Sequence, residues 1–514
     1  MARYYYDSSN TVFDYPVLIP RNDASFTEVF GDAFGRMVIY TYADHIDTDN
    51  IADELAKALP KHNWNAAQIA YLDRYYRGDQ PILYRAKKVR PEINNCVVEN
   101  HAYELVESNV ADLYGEPVQY ALHNSDDEGL MEEINSLNTY MRSEDKPAID
   151  IERGRWAAIC GTSYLYVGGE NRMPKDYDEA PFYLSVENPM KTFVVYYADD
   201  GTPAFSVQIR KDDEGTFYHC WTHAKWFQIR NAAVVASGIN GRRYNPVIEY
   251  PLNERRLSVI EITIGLTDAL NKMASDRMNG IEQFVQAFML FKNCDIDKDK
   301  FLEMVGLGAV SVKDTASGKA ADVKIMAEQL DQSQAQVAKD DLYQQILLIQ
   351  GKPGRQENSG GDTGQAVVLR NGYYDEDKRA ELRIPYFVKS ERMMLRVVLH
   401  ALRVDRRFRI RLSDIDIKPK RSKLENMMVK AQVAQILHSI GYDDGEITKL
   451  INLWPDPANV YALSKEAMKE QFESANGLGE YKQTQTTSGW GNSTTTTTET
   501  DVDTSAETAS GTAL

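Results

Sequence analysis

At 514 residues the chain is long enough for several cores, and its 76 acidic against 58 basic side chains give a formal charge of −18. That balance excludes a protein that grips nucleic acid over its whole surface, because phosphate affinity is carried by clustered Lys and Arg; any contact with DNA has to be local or weak. The four cysteines, Cys96, Cys160, Cys220 and Cys294, lie far apart with no Cys-x-x-Cys pair, which argues against a zinc site or disulfide framework and for a reduced, cytoplasmic setting.

Residues 1–60 mix aromatic, acidic and turn-forming side chains without a sustained period, and read as an arm that needs a partner surface or as a plain tail. The N-terminus lacks the apolar core of a secretion signal and no run of about 18 apolar residues occurs, so no membrane span and no export are expected. Trp64, Ile69, Leu72 and Tyr76 suggest an amphipathic helix that stops at Gly78, followed by an extended segment at 81–85. A second helix is expected over 95–114, with Val98, Ala102, Leu105, Val106, Val110 and Leu113 on one stripe and Gly115 and Pro117 as stops. Another is expected over 151–159.

Between 182 and 229 the pattern changes to alternation and β-branched or aromatic runs punctuated by Asp200-Gly201 and Glu214-Gly215, the signature of antiparallel hairpins. Pro246 and Pro251 bracket an extended link. Leu257, Ile260, Ile264, Leu270, Met273, Ile281 and Phe284 then mark a long helix over about 255–284, although Gly265 and Gly280 inside it each cost about 1 kcal/mol relative to alanine. A returning helix is expected over 332–350, and a small β-rich insert containing Phe288, Met289, Leu290 and Phe291 lies between the two.

A glycine-rich loop follows, with Gly351, Gly354, Gly360, Gly361 and Gly364 keeping the backbone mobile and Lys352 and Arg355 as its only cations. It runs into one long helical pattern in which Phe387, Met394, Leu395, Val398 and Leu402 form the packed face. Lys389, Arg392, Arg396 and Arg403 fall on the opposite side. Pro385 should kink or restart this helix about one turn upstream. Arg370 to Lys423 holds sixteen Lys and Arg against eight Asp and Glu, which fits either a solvated face or a subunit contact in which a basic surface meets an acidic one. Residues 408–412 alternate strictly and are expected to pair with the sheet of 182–230, which makes the α+β part discontinuous in sequence. Helices are expected at 424–437 and 446–472, and the Ser/Thr/Gly-rich residues 474–514 form a disordered tail.

Catalytic motifs are weak throughout. There is no phosphate loop, no His-Glu-x-x-His, no Gly-x-Ser-x-Gly and no Gly-x-Gly-x-x-Gly. Asp295, Asp297 and Asp299 resemble the start of a calcium loop, but Lys300 stands where glycine is needed and Gly306 where the bidentate glutamate belongs, so a solvated acidic turn is the better reading. No metal or other cofactor is expected. The alternative of a carboxylate-based phage hydrolase stays open, without two identifiable carboxylates to carry it.

Several stretches in order resemble the portal proteins of tailed bacteriophages, the siphophage headful-packaging family: Tyr75 to Tyr84 after the first helix, Asn245 to Pro251 with Asn253 and Glu254, Leu266 to Asp276, and Asn358 to Gly364 before the long helix. The resemblance spans about 60–470. It implies an α+β, multidomain ring subunit: an α+β wing, a helical stem, a small β-rich clip, a long kinked spine helix and a helical crown. By position, 1–60 is an arm, 61–250 the first part of the wing, 251–284 and 332–350 the stem helices, and 285–331 the clip. Residues 351–363 are then the tunnel loop, 364–420 the long helix and return strand, and 421–473 the crown.

The resemblance further implies a homo-oligomeric, usually dodecameric ring at one capsid vertex. Double-stranded DNA passes through it during packaging and ejection, and no chemistry is done by the chain. On this reading Lys352, Arg355, Asn358, Gly360 and Gly361 face DNA, Lys389, Arg392, Arg396 and Arg403 lie at the subunit boundary, and Phe288 to Phe291 belong to the docking region. The implied partners are the terminase large subunit, head-completion or adaptor proteins, and the major capsid and scaffolding proteins, first in the host cytoplasm and then in the virion.

Overall fold

The computed structural model of the chain describes residues 34–88, 91–123, 127–169, 179–285, 288–292, 322–326, 332–352, 373–419 and 427–451, with short pieces at 5–6, 12–13, 299, 461, 464–465 and 469. Two compact units are present, Met1–Met427 and Met428–Leu514. In the first, a short antiparallel pair, Tyr5–Tyr6 with Val12–Phe13, precedes β1 (Ile39–Thr41) and α1 (Ile51–Tyr76), so the described part of the expected arm is structural. Ile51, Leu55 and Ala58 share one helical face and are buried against Phe193, Val195, Phe205, Val207 and Phe227. The period is hidden in the sequence by Pro60, which α1 accommodates in its interior. Each large apolar side chain buried there contributes about 1.5–3 kcal/mol.

After α1 the chain reverses at Gly78, φ +89°, and forms a 3-10 turn at Pro81–Tyr84 where an extended segment was expected. Proline at the first position favours that turn, since its fixed φ suits a helix start and its missing N–H goes unmissed. Next come α2 (His101–Tyr114), β2 (Gln119–Leu122), α3 (Glu128–Ser143) and α4 (Lys146–Cys160). The helix expected from 95 begins at 101, because residues 95–99 give their amides to a different helix, as described below. β3 (Thr162–Gly168) and β4 (Tyr183–Glu187) follow, then the meander β5 (Thr192–Tyr197), β6 (Pro203–Asp212), β7 (Gly215–Trp221), β8 (Lys225–Arg230) and β9 (Ala233–Ile239), and finally β10 (Val247–Pro251). One sheet has the order β9-β8-β7-β6-β5-β1, with β1 parallel to β5; the other has β10-β3-β4. Tyr164 and Tyr166 of the small sheet pack on Val194 and Trp221 of the large one.

Helix α5 (Ile264–Val285) is shorter than expected, since Leu257 and Ile260 extend the apolar period across a non-helical turn. The Asn253 side chain accepts from the amides of Arg255 and Leu257, and Glu261 from that of Ser258, which fixes this turn. β11 (Phe288–Lys292) pairs antiparallel with β12 (Asp322–Met326), and α6 (Gln332–Gln350) returns alongside α5. Helix α7 (Tyr373–Arg406) is continuous through Pro385 and does not restart there.

The return strand is β13 (Ile415–Lys418), and it pairs with β2 rather than with the sheet of 182–230. Residues 408–412 are unavailable for a ladder because the amides of Arg409 and Ile410 donate to the Glu133 carboxylate on α3, at 2.9 and 2.8 Å. The second unit holds α8 (Met427–Ser439) from its second residue on, and α9 (Asp444–Ile451); the corner expected at 453–457 falls outside the described residues.

Helix α7 is seated by charge as well as by its apolar face. Glu391, fully buried on α7, accepts from Lys146 at 2.9 Å and from the hydroxyls of Tyr120 and Tyr250. Lys146 also holds Asp150 at 2.6 Å, and Asp150 accepts from Arg153, whose guanidinium lies 4.0 Å from the Tyr250 ring. Two cations and two carboxylates are thus enclosed with balanced charge. Glu391→Gln preserves the shape but leaves two buried cations facing one carboxylate, and should cost about 3–5 kcal/mol in urea unfolding at pH 7. A loss below about 1 kcal/mol would show that charge does not hold α7 in place.

Candidate functional site

Helices α5 and α6 meet the rest of their unit over a small apolar contact, Leu105, Leu270 and Ile346, with Leu266, Leu342 and Tyr343 around it. Most of the junction is polar. Residues 93–100 run along α5 without regular secondary structure, and every second amide donates to an α5 side chain: Asn95 to Asn279 Oδ1 at 2.6 Å, Val97 to Ser275 Oγ at 2.8 Å, and Glu99 to Asn271 Oδ1 at 2.8 Å. The acceptors are four residues apart and the donors two, in opposite directions. The spacings agree because a helix advances about 6 Å in four residues and an extended strand about 6.6 Å in two. A strand-like strap is therefore hydrogen-bonded to a ladder of helix side chains.

Single contacts flank the ladder. Tyr75 donates to Asp268 at 2.9 Å, Asn271 donates to the Gln80 oxygen, Arg85 pairs with Asp276, and Asn95 donates to Glu282 at 2.6 Å. On α6, Lys339 pairs with Glu99 at 2.6 Å and Tyr343 donates to Glu104 at 2.9 Å. The His101 ring lies 4.5 Å from that of Tyr343. Burial lifts the Asp268 carboxyl to about 6, against the lowering effect of the Tyr75 hydroxyl.

Two of the stretches that carry the family resemblance, Tyr75 to Tyr84 and Leu266 to Asp276, are the two sides of this junction. A third, Asn245 to Pro251, supplies Glu249, which binds Arg256 through both oxygens at 2.6 and 2.9 Å and also accepts from Thr162. Burial pushes the Glu249 carboxyl up, and Arg256 pulls it back below the ordinary carboxylate range.

The residues singled out in the sequence are not brought together. Lys352 is enclosed and paired with Glu376 at the foot of α7, so it is not a free cation on a loop; its amide closes the end of α6 on the Leu347 carbonyl at 2.9 Å. Arg355, Asn358, Gly360 and Gly361 lie outside the described residues. Lys389, Arg392, Arg396 and Arg403 are exposed on α7, and Arg403 donates to the Ile410 carbonyl at 2.9 Å. Phe288, Met289, Leu290 and Phe291 form β11 and pair with Met326, Ile325, Lys324 and Val323. Of the acidic turn, Asp295 and Asp297 fall outside the described residues. The strap and the ladder were missed, although the polar i, i+4 series on α5 is a readable signal.

Asp150, Glu249, Glu261 and Glu391 are each bound to a cation, and burial holds His62 and His219 down to about 4. Among the described residues no cluster of three or more His, Cys, Asp or Glu could hold a metal, and no helix is long and apolar enough to cross a membrane.

The family model described as "Phage portal protein, SPP1 Gp6-like" matches residues 55–445, well over half of the chain, and the chain belongs to this family. As a portal protein it is a structural component of a phage-type virion. No curated protein matches it. Among solved structures it is similar to chains in the neck of an empty gene transfer agent (GTA) particle computed with C6 symmetry, with TM-score 0.42, 12% identity and coverage of 69% of this chain and 90% of that one. It is also similar to one in the virion of the native GTA particle, with TM-score 0.40, 12% identity and coverage of 76% and 94%. These likenesses carry no further argument.

The ionisation of Asp268 gives a test of the junction. Between 3.8 and about 6 the unfolded chain loses this proton while the folded chain keeps it, so this group subtracts stability as pH rises through that window and the loss is complete above it. Asp268→Asn removes the loss and retains an oxygen for Tyr75. In urea unfolding the variant should match the wild type at pH 4 and exceed it by about 2 kcal/mol at pH 7.5; equal stability at both pH values would mean that Asp268 titrates normally.

Proposed function

We propose that copies of this chain close a ring, dodecameric as the family resemblance implies, at one vertex of a phage capsid, and that double-stranded DNA enters and leaves through its centre. The observation that carries this reading is the family match over 55–445. The net charge of −18 supports it, because a conduit has to let a polyanion slide, and a wall that bound phosphates tightly would stall it. In this reading α5 and α6 are stem helices, β11 and β12 belong to the clip, and the second unit contributes to the crown. The clip would dock the terminase large subunit during packaging and head-completion or adaptor proteins afterwards, while the ring's outer surface meets major capsid and scaffolding proteins.

The exposed stripe of Lys389, Arg392 and Arg396 is assigned to the boundary with the next copy, where a heterologous contact joins unlike surfaces. Negative-stain images of the purified chain should show closed rings. Arg392→Glu with Arg396→Glu should reduce the ring fraction, most at low salt where charge acts over a longer range. Monomers of the unchanged chain would overturn the ring itself, and normal rings of the double variant would return the stripe to a solvated face.

The glycine-rich segment 353–364 is assigned to the channel lumen. Replacing Gly360 and Gly361 by proline should stiffen it, leave rings intact and slow packaging in a reconstituted capsid system. Packaging at the normal rate would show that motion of this segment is irrelevant to DNA passage.

A further inference from the structure

We propose that Asn271, Ser275 and Asn279 are positioning residues that hold α5 in one of several equivalent registers, and that α5 shifts along residues 95–99 by whole helical turns. The polar series does not end with the three rungs in use. At the same four-residue spacing Thr263 and Thr267 precede them, 1% and 2% exposed, and Gln283 follows. Moving α5 one turn along this ridge takes the Val97 amide from Ser275 to Asn271 or Asn279. The Glu99 amide passes to Thr267 or Ser275, and in the first direction that of Asn95 passes to Ser275. Each amide leaves one side-chain partner and meets another.

The step is a screw of about 6 Å with about 40° of rotation, since four residues slightly exceed a turn. In the small apolar contact Leu270 is replaced by Leu266 or Ala274, while Ile264 has to leave the core of Ile69, Leu72 and Val259 against which it packs. Gln80 passes from Asn271 to Thr267 or Ser275. The step breaks several single contacts: Ile264 or Lys272 would face Tyr75 in place of Asp268, Lys272 or Gly280 would face Arg85 in place of Asp276, Asn95 would leave Glu282, and the Arg36–Glu261 pair and the Gln350–Thr263 bond just before α5 would have to release. Asp268 and Asp276 therefore choose the resting register, and the ladder keeps the neighbouring ones hydrogen-bonded. A close-packed apolar seam could not move this way without opening cavities.

The proposal rests on the portal reading for what drives the step, which is load on α5 and α6 as DNA passes; the exchange of registers is a property of the chain itself. The test uses the full chain with Cys96→Ser and Cys294→Ser, carrying Val97→Cys together with one partner: Ser275→Cys for the resting register, Asn271→Cys or Asn279→Cys for the stepped ones, or Met273→Cys off the ridge. After mild oxidation, intramolecular disulfides are quantified by mass spectrometry in free chains and in rings. The resting pair should form fastest, one stepped pair at least ten times faster than the off-ridge pair, and the stepped pair faster still during packaging. Rings locked by the Val97–Ser275 pair should stop packaging and resume it on reduction. Stepped pairs that form no faster than the off-ridge pair, or locked rings that package at the normal rate, would overturn the proposal. Failure of the unchanged chain to form rings would instead overturn the portal reading, and the disulfide pattern in free chains would still report the registers.

Discussion

The buried pairing of Glu391 with Lys146 fixes how the chain returns to its own beginning. Helix α7 enters after the excursion through α5, β11, β12 and α6, and its apolar face alone would accept more than one rotation about its axis. A carboxylate with no exposure removes that freedom, because only one setting places it against Lys146, Tyr120 and Tyr250. Desolvating two such ions costs several kcal/mol each, so the arrangement persists only with every partner in place. Arg153, enclosed by the rings of Tyr114, Tyr250 and Phe387, completes the charge balance and adds cation–π attraction.

The same device recurs where distant segments meet. Arg36 pairs with Glu261, joining the segment before β1 to the turn before α5, and Glu249 with Arg256 fixes the exit from β10 into that turn. These contacts are unique in geometry and surrounded by apolar cores, so each behaves as a fixed joint. The attachment of α5 and α6 is of a different kind: its apolar contact is small and its hydrogen bonds repeat. Regions with few buried apolar contacts open at lower free energy than the cores around them. Among the described residues, a loosely committed seam thus lies between the sheet-bearing body and helices α5 and α6.

Much of the secondary structure was legible because apolar spacing announces it. The hairpins of β5 to β9, the return of α6 and the packed face of α7 all follow from periods of two or 3.6 residues. The errors have local causes. Pro60 hid the first half of α1, and a turn held by Asn253, Ser258 and Glu261 hid the true start of α5. Glu133 drew two amides away from the alternating run at 408–412, which displaced the return strand to 415–418. Two of the stretches that carry the family resemblance meet only in three dimensions: Gln80 and Asn271 lie 191 residues apart and are hydrogen-bonded. No periodicity within one stretch could have paired them.

Lys352 shows why charge alone is a poor guide to a DNA-facing residue. In sequence it opens a mobile glycine-rich loop and looks available to phosphate; in the fold it is enclosed against Glu376 and fixes where α6 ends and α7 begins. The cations left exposed on α7, Lys389, Arg392 and Arg396, stand on the face opposite its apolar side, three and four residues apart. That spacing forms a linear array along one helix face, a geometry that suits an extended protein surface better than a narrow lumen. Within the described residues, a chain of net charge −18 thus encloses Lys352 against Glu376 and displays Lys389, Arg392 and Arg396 on a packed helix.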